Sequence, residues 1–131
     1  MHDSLTTEQK KKIITFVNLA LTFNKTHNIF SRKNHNEVYE KDILDCFPLI
    51  GFLKKNDSVL DLGTGGGFPG VLLSIAKPSS QINLLEKNKK KCYFLKIVID
   101  ELKLENTRIV NKTLAKQNKL GKFDIITARA F

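Results

Sequence analysis

The stretch Val59-Leu60-Asp61-Leu62-Gly63-Thr64-Gly65-Gly66-Gly67-Phe68-Pro69-Gly70 constrains this chain more than any other. A short apolar strand reaches an acidic residue, breaks into a glycine-dense turn and leads into a helical pattern. An α/β fold builds a nucleotide-type cofactor site in this way, at the carboxyl end of its first strand. Glycine permits positive φ there and lets backbone approach a ligand that a Cβ would exclude. The following helix is expected to point its unpaired amino-terminal N–H groups at whatever polar group sits there.

Glycine clusters also occur in plain flexible turns, and Gly65 to Gly70 satisfies the G-x-G-x-x-G pattern of dinucleotide sites. A second apolar strand, Ile82-Asn83-Leu84-Leu85, narrows the choice because it ends at Glu86, where a carboxylate can accept hydrogen bonds from ribose hydroxyls. The two features together read as a site for an adenosine-containing ligand and leave its chemistry open.

The rest of the chain fits one α/β unit with helices in front of it. Thr6-x-x-Gln9 is a capping box, and Ile13, Phe16, Val17, Ala20 and Leu21 then share one helix face. Asn24 to Lys33 is expected to connect this helix to a second, starting near Asn34 or Asn36 and ending before Pro48. Strands are expected near 58–62, 81–86, 107–111 and 123–128, with helices near 69–77 and 88–103. On the last helix Phe94, Leu95, Val98, Ile99 and Leu102 form a stripe suited to packing on the sheet. The boundary between a helical cap, 1–53, and the α/β part, 54–131, is placed at the first strand.

Charge bears on partners. The 22 basic against 13 acidic side chains give +9, which suits a phosphate-rich partner as well as a merely solvated surface. Lys87, Lys89, Lys90 and Lys91 crowd a helix start, where their charge opposes the macrodipole. A solvated helix face is the plain account of that run and non-specific phosphate contact the sharper one, although aromatics do not alternate with the lysines as on single-strand stacking platforms. Cys46 and Cys92 match no metal-ligand spacing and are expected to be reduced, largely buried thiols of a cytoplasmic protein. No apolar run approaches the roughly 20 residues that span a bilayer, so neither metal nor membrane is expected.

Four blocks between Phe23 and Phe131 resemble one family, the GidB/RsmG-type 16S rRNA guanine-N7 methyltransferases. Asn24-Lys25-Thr26-His27-Asn28-Ile29 is similar to its W-N-x-x-x-N-L segment, with Phe23 where tryptophan is usual. Asp42-Ile43-Leu44-Asp45-Cys46 is similar to its H-I-L-D-S block, and Asp61 to Gly70 to its D-x-G-[ST]-G-x-G-x-P-G turn. Leu85-Glu86-Lys87, Lys90-Lys91, Phe94-Leu95 and the run Phe123 to Phe131 follow in the family's order. The resemblance implies a Rossmann-like class I methyltransferase fold with an amino-terminal helical cap. It implies S-adenosyl-L-methionine as cofactor, 16S ribosomal RNA as partner and methyl transfer to a guanine N7.

Residue by residue, the resemblance puts the backbone of Gly63 and Gly65 at the amino-acid end of the cofactor, with Phe68 lining the pocket. Glu86 would accept the ribose, Leu114 and Ala115 would lie beside the adenine, and Arg129 would close the site. Thr113 and Ala115 stand where the family's R-x-E segment has arginine and glutamate, and Asp42 stands where it has histidine. No catalytic acid or base is assigned, because guanine N7 carries a lone pair and no proton. The family's sheet continues beyond strand four, so strands one to four are expected here, in the order 3-2-1-4. A non-catalytic relative that binds S-adenosylmethionine or RNA is the alternative; a nicotinamide-dependent oxidoreductase would also need a substrate domain.

Overall fold

A computed structural model describes residues 5–29, 31–111 and 122–129. Its first element, α1 (Thr7–His27), starts at the expected capping box. Thr6 Oγ1 accepts from Gln9 N at 3.1 Å, and Gln9 Oε1 accepts from Thr6 N at 2.8 Å. The helix ends on Asn28, which sits in the left-handed region (φ 52°) and donates its N–H to Asn24 O. The expected connection from Asn24 is therefore helical as far as His27. Asparagine tolerates the left-handed cap better than branched residues do, and it is this residue that stops the helix.

The second helical stretch begins at its predicted cap, where Asn34 Oδ1 accepts from Glu37 N at 3.0 Å. It runs as α2 (His35–Val38), a π-helical turn (Tyr39–Ile43) and α3 (Leu44–Phe52). Pro48, expected to lie beyond the helix, is inside it. Proline removes the N–H that Leu44 O would accept and crowds that carbonyl. The wider turn just before α3, with Leu44 N bonded to Tyr39 O, shifts the helical hydrogen-bond register next to it.

The sheet is parallel, with strands β1 (Ser58–Leu62), β2 (Gln81–Leu85), β3 (Thr107–Val110) and β4 (Ile125–Ala128). Their order is β3-β2-β1-β4, as expected. Between strands run α4 (Gly70–Ala76) and α5 (Lys89–Leu102), each within a residue of its expected bounds. Because β1 pairs with both β2 and β4, the strand order reverses at β1. The crevice at the carboxyl end of that strand is where open α/β sheets bind ligands, and it is where the glycine turn lies.

One hydrophobic core joins the helices and one face of the sheet. Val59, Ile82 and Leu84 meet Val71, Leu72 and Ile75 of α4 and Phe94, Leu95 and Val98 of α5. From α1, Ile13, Phe16, Val17 and Ala20 complete it. Phe16 lies with its ring centroid 5.0 Å from Phe68 and 6.4 Å from Phe94. At the other end of α1, Gln9 Nε2 donates to Ile75 O and Ala76 O, each at 3.2 Å, satisfying carbonyls at the end of α4. The helices before β1 therefore share their core with the sheet. None of the helices among the described residues is long and apolar enough to cross a membrane.

Candidate cofactor site at the glycine turn

β1 delivers Asp61 into the helix-covered face of the sheet, where it is 1% exposed. Its partners come from both flanks. Gly70 N, the first amide of α4, donates to Asp61 Oδ2 at 2.9 Å, and Thr127 Oγ1, its register neighbour on β4, donates to Oδ1 at 3.0 Å. Burial pushes the carboxyl up to about 6, against these hydrogen bonds and the nearby Arg129 charge, which favour the anion. The polar group that meets the start of α4 is this carboxylate of the chain itself. Gly70 N is spent on Asp61, Val71 N on Gly67 O at 2.7 Å and Leu73 N on Pro69 O at 2.9 Å.

The turn itself has an inner and an outer side. Gly67 (φ 103°) and Gly70 are buried, and a Cβ on Gly67 would come within 2.8 Å of Val71 Cγ2. Gly63 (φ 60°) is exposed and Gly65 (φ 57°) partly so. A Cβ on Gly65 would meet only Gly63 O, at 3.8 Å, so open space lies over this backbone. The outer glycines thus form a shallow cradle, held in a left-handed conformation that disfavours side chains.

Glu86, just past β2, supports the cradle from below. Its Oε1 accepts from Gly65 N at 2.8 Å and its Oε2 from Asn88 N at 2.9 Å. Glu86 is 6% exposed, and each of its carboxylate oxygens keeps a second lone pair for a hydroxyl that reaches it. Asn88 in turn caps α5 by accepting from Lys91 N at 3.0 Å. Of the predicted glycines, Gly65 is therefore joined to the strand-end acid by a hydrogen bond. These groups fit the amino-acid and ribose portions of an adenosyl cofactor: bare backbone under open space, with a carboxylate beside it.

Two other expected positions lie elsewhere. Phe68 is 6% exposed and packs on Phe16, which puts its ring in the core. Arg129, directly after β4, turns toward the helical cap: Nη1 donates to Asp42 Oδ1 at 2.7 Å, and Nη2 to Lys41 O at 2.9 Å and Asp45 Oδ2 at 3.3 Å. Arg32 grips the same carboxylate, with Nε on Oδ2 at 2.9 Å and Nη2 on Oδ1 at 3.1 Å. Leu114 and Ala115 lie outside the described residues.

Sequence reading missed Asp61 and Thr127 as a buried pair and Asp42 as the hub of an Arg–Asp–Arg cluster. Asp61 carried a signal as the acid that ends the first strand, and Asp42 as the acid standing where the resemblance expected histidine. Of the thiols, Cys46 is buried and pushed up to about 12 by desolvation, whereas Cys92 is half-buried. That corrects the expectation of burial for Cys92. Its position at the surface end of α5 lets Asn111 Nδ2 donate to it at 3.1 Å. No cluster of three or more metal-ligating side chains occurs among the described residues.

Solved structures define the fold class. An Aquifex aeolicus S-adenosylmethionine-dependent methyltransferase superposes with a TM-score of 0.58 at 20% identity, covering 83% of this chain and 55% of that one. Coclaurine N-methyltransferase, solved with N-methylheliamine and S-adenosylhomocysteine, gives 0.64 at 14%, covering 86% and 34%. The fold is the Rossmann-like fold of these methyltransferases.

Within that class, residues 9–131 match the GidB family model, rRNA small subunit methyltransferase G, and the chain belongs to this family. Ribosomal RNA small subunit methyltransferase G of Psychrobacter sp. (strain PRwf-1) is 33% identical over 129 residues, 97% of this chain and 57% of the relative. The protein of the same name from Escherichia coli O1:K1 / APEC is 37% identical over 128 residues, 98% of this chain and 61% of the relative. The chain thus spans about three fifths of the length of these relatives.

Proposed function

We propose that this chain carries the S-adenosylmethionine site of a 16S ribosomal RNA methyltransferase that acts on a guanine N7 in the cytoplasm. The observation that carries the reading is the Glu86–Gly65 hydrogen bond, which locks a strand-end carboxylate to a bare glycine cradle at the switch point of the sheet. Family membership and the names of the relatives support the RNA substrate.

When bound, the cofactor supplies an electrophilic methyl group on a sulfonium sulfur. Gly63 and Gly65 would hold its amino-acid end through backbone, and Glu86 would accept its ribose hydroxyls. Phe68 and Arg129 serve indirectly, the first by packing the turn on α1 and the second by fastening the cap to β4. A guanine N7 would present an in-plane lone pair and no proton to that methyl group, so no acid or base would be asked of this chain's residues. Alignment and the electrostatic setting of the site therefore have to provide the acceleration. The division at residues 53 and 54 is proposed as one of role, cap against cofactor site, within a single core.

The test is transfer of labelled methyl from S-adenosylmethionine to 16S RNA lacking the modification, mapped by borohydride reduction and aniline cleavage, which reports N7-methylguanine. Incorporation at one aniline-sensitive guanine supports the proposal. Incorporation elsewhere on the bases would overturn the N7 assignment.

A further inference from the structure

The helix start that carries Lys87, Lys89, Lys90 and Lys91 is also an aromatic surface, built from two elements far apart in sequence. Tyr93 is 61% exposed on the first turns of α5. It lies three and four residues after Lys90 and Lys89, the spacing that puts side chains on one helix face. Its ring centroid is 6.0 Å from Phe23 of α1, which stacks on His27 at 3.9 Å and 10° and rests on buried Phe94 at 5.2 Å. His27, Phe23 and Tyr93 thus form an aromatic strip anchored in the core. Exposed Lys89 and Lys90 lie on the same face of α5 as Tyr93.

The lysines are available. The lysine ion pairs among the described residues are Lys41–Glu37 and Lys96–Asp100, and they involve none of these side chains. Glu86, the nearest acid in sequence, has both oxygens engaged by backbone amides. Uncompensated positive charge beside an exposed ring supported at its edge complements a strand that offers both phosphates and unstacked bases.

We propose that Tyr93, supported by Phe23 and His27 and flanked by Lys89 and Lys90, is a stacking platform for single-stranded RNA. The proposal rests on the RNA-substrate reading above and assigns the surface through which the substrate strand reaches the glycine turn. It corrects the impression from sequence that aromatics and lysines do not combine. The combination forms only when α1 packs on α5.

Fluorescence anisotropy with a labelled single-stranded RNA of about a dozen nucleotides, and with the same strand in a duplex, tests it on the full chain. Loss of one base–aromatic stack in Tyr93→Ala is expected to weaken single-strand binding about 5- to 100-fold. The dependence on salt should stay unchanged, and duplex binding should change little. Tyr93→Phe is expected to retain single-strand affinity within about threefold, because the π face survives. The double variant Lys89→Gln/Lys90→Gln is expected to reduce the single-strand salt slope by roughly 1.4, at about 0.7 per phosphate contact.

Circular dichroism confirms folding of each variant, which the exposure of these side chains favours. A wild-type chain that binds single-stranded RNA unaffected by Tyr93→Ala overturns the platform and leaves the substrate reading standing. A folded wild-type chain that binds no RNA overturns both. Poly-glutamate bound as tightly as RNA would identify an acidic protein as the occupant and overturn the platform.

Discussion

Replacing Gly70 by alanine isolates the packing that makes the turn. In an ordinary helix the change would stabilise by about 1 kcal/mol, because alanine loses less backbone entropy. Gly70 opens α4 in a helical conformation, so backbone strain plays no part. Its Cβ, however, would run into Leu84 Cδ2 and come within 2.6 Å of Asp61 Oδ2 and 3.1 Å of Thr64 Oγ1. Leu84 is 0% exposed and Asp61 1%, so neither has free space to move into. Overpacking of this kind costs about 1–3 kcal/mol. Displacing Gly70 N from the buried carboxylate adds about 1–3 kcal/mol for a charged group left short of a donor.

Set against the helix gain, the net loss expected for Gly70→Ala is about 3 kcal/mol. Gly51→Ala is the control: it is also helical, and nothing lies within 4 Å of its Cβ. It should be neutral or up to about 1 kcal/mol more stable. In urea unfolding followed by circular dichroism, a slope of about 2 kcal/mol per molar turns the first value into a midpoint drop of roughly 1–2 M. A Gly70→Ala chain as stable as the wild type, or no difference between the two alanines, would refute this account of the turn.

Four further expectations concern charge and capping. Asp61 is raised from 3.8 to about 6, chiefly by burial, so the folded state holds a proton that the unfolded state has released between those values. Its contribution to stability therefore falls as pH rises from about 4 to 6, by roughly 3 kcal/mol at ~1.4 kcal/mol per unit. Asp61→Asn, which can still accept from Gly70 N, should flatten that part of the urea-midpoint profile; an unchanged slope would contradict the assignment. Asp42→Ala should destabilise by about 2–4 kcal/mol, since the carboxylate side chain is 4% exposed while its arginines are only partly buried and remain screened. Arg32→Lys should recover little of the Arg32 contribution in the same denaturation series, because lysine cannot reproduce the two-pronged contact. Gln9→Ala should cost about 1–2 kcal/mol, losing half of the capping box and the donor to the end of α4. A melting temperature unchanged from wild type would contradict that last role.

Local and periodic features carried most of the fold into the sequence. The Thr6–Gln9 box, the Asn34 cap, the apolar stripes of α1 and α5 and the four short strands each depend on neighbours within a turn or two. What escaped was settled by groups far apart in the chain. Pro48 lies inside α3, where the local rule ends a helix before a proline. The resemblance put Phe68 in the pocket wall, but Phe16, 52 residues earlier, holds it in the core. Arg129 was expected at the cofactor, yet Asp42 and Asp45 lie 87 and 84 residues before it and draw its guanidinium to the cap. Glu86 is the intermediate case: its place at a strand end was legible, whereas its bond to Gly65 required the β1–β2 pairing.

The central claim is that the outer glycines and Glu86 form a working cofactor site. Isothermal titration of the folded chain with S-adenosylhomocysteine tests it most directly, with Glu86→Gln in parallel. Saturable binding at one site per chain, weakened roughly tenfold or more when the carboxylate is neutralised, is the predicted result. A chain that circular dichroism shows to be folded, but that gives no binding heat at any temperature tried up to millimolar ligand, would contradict the claim.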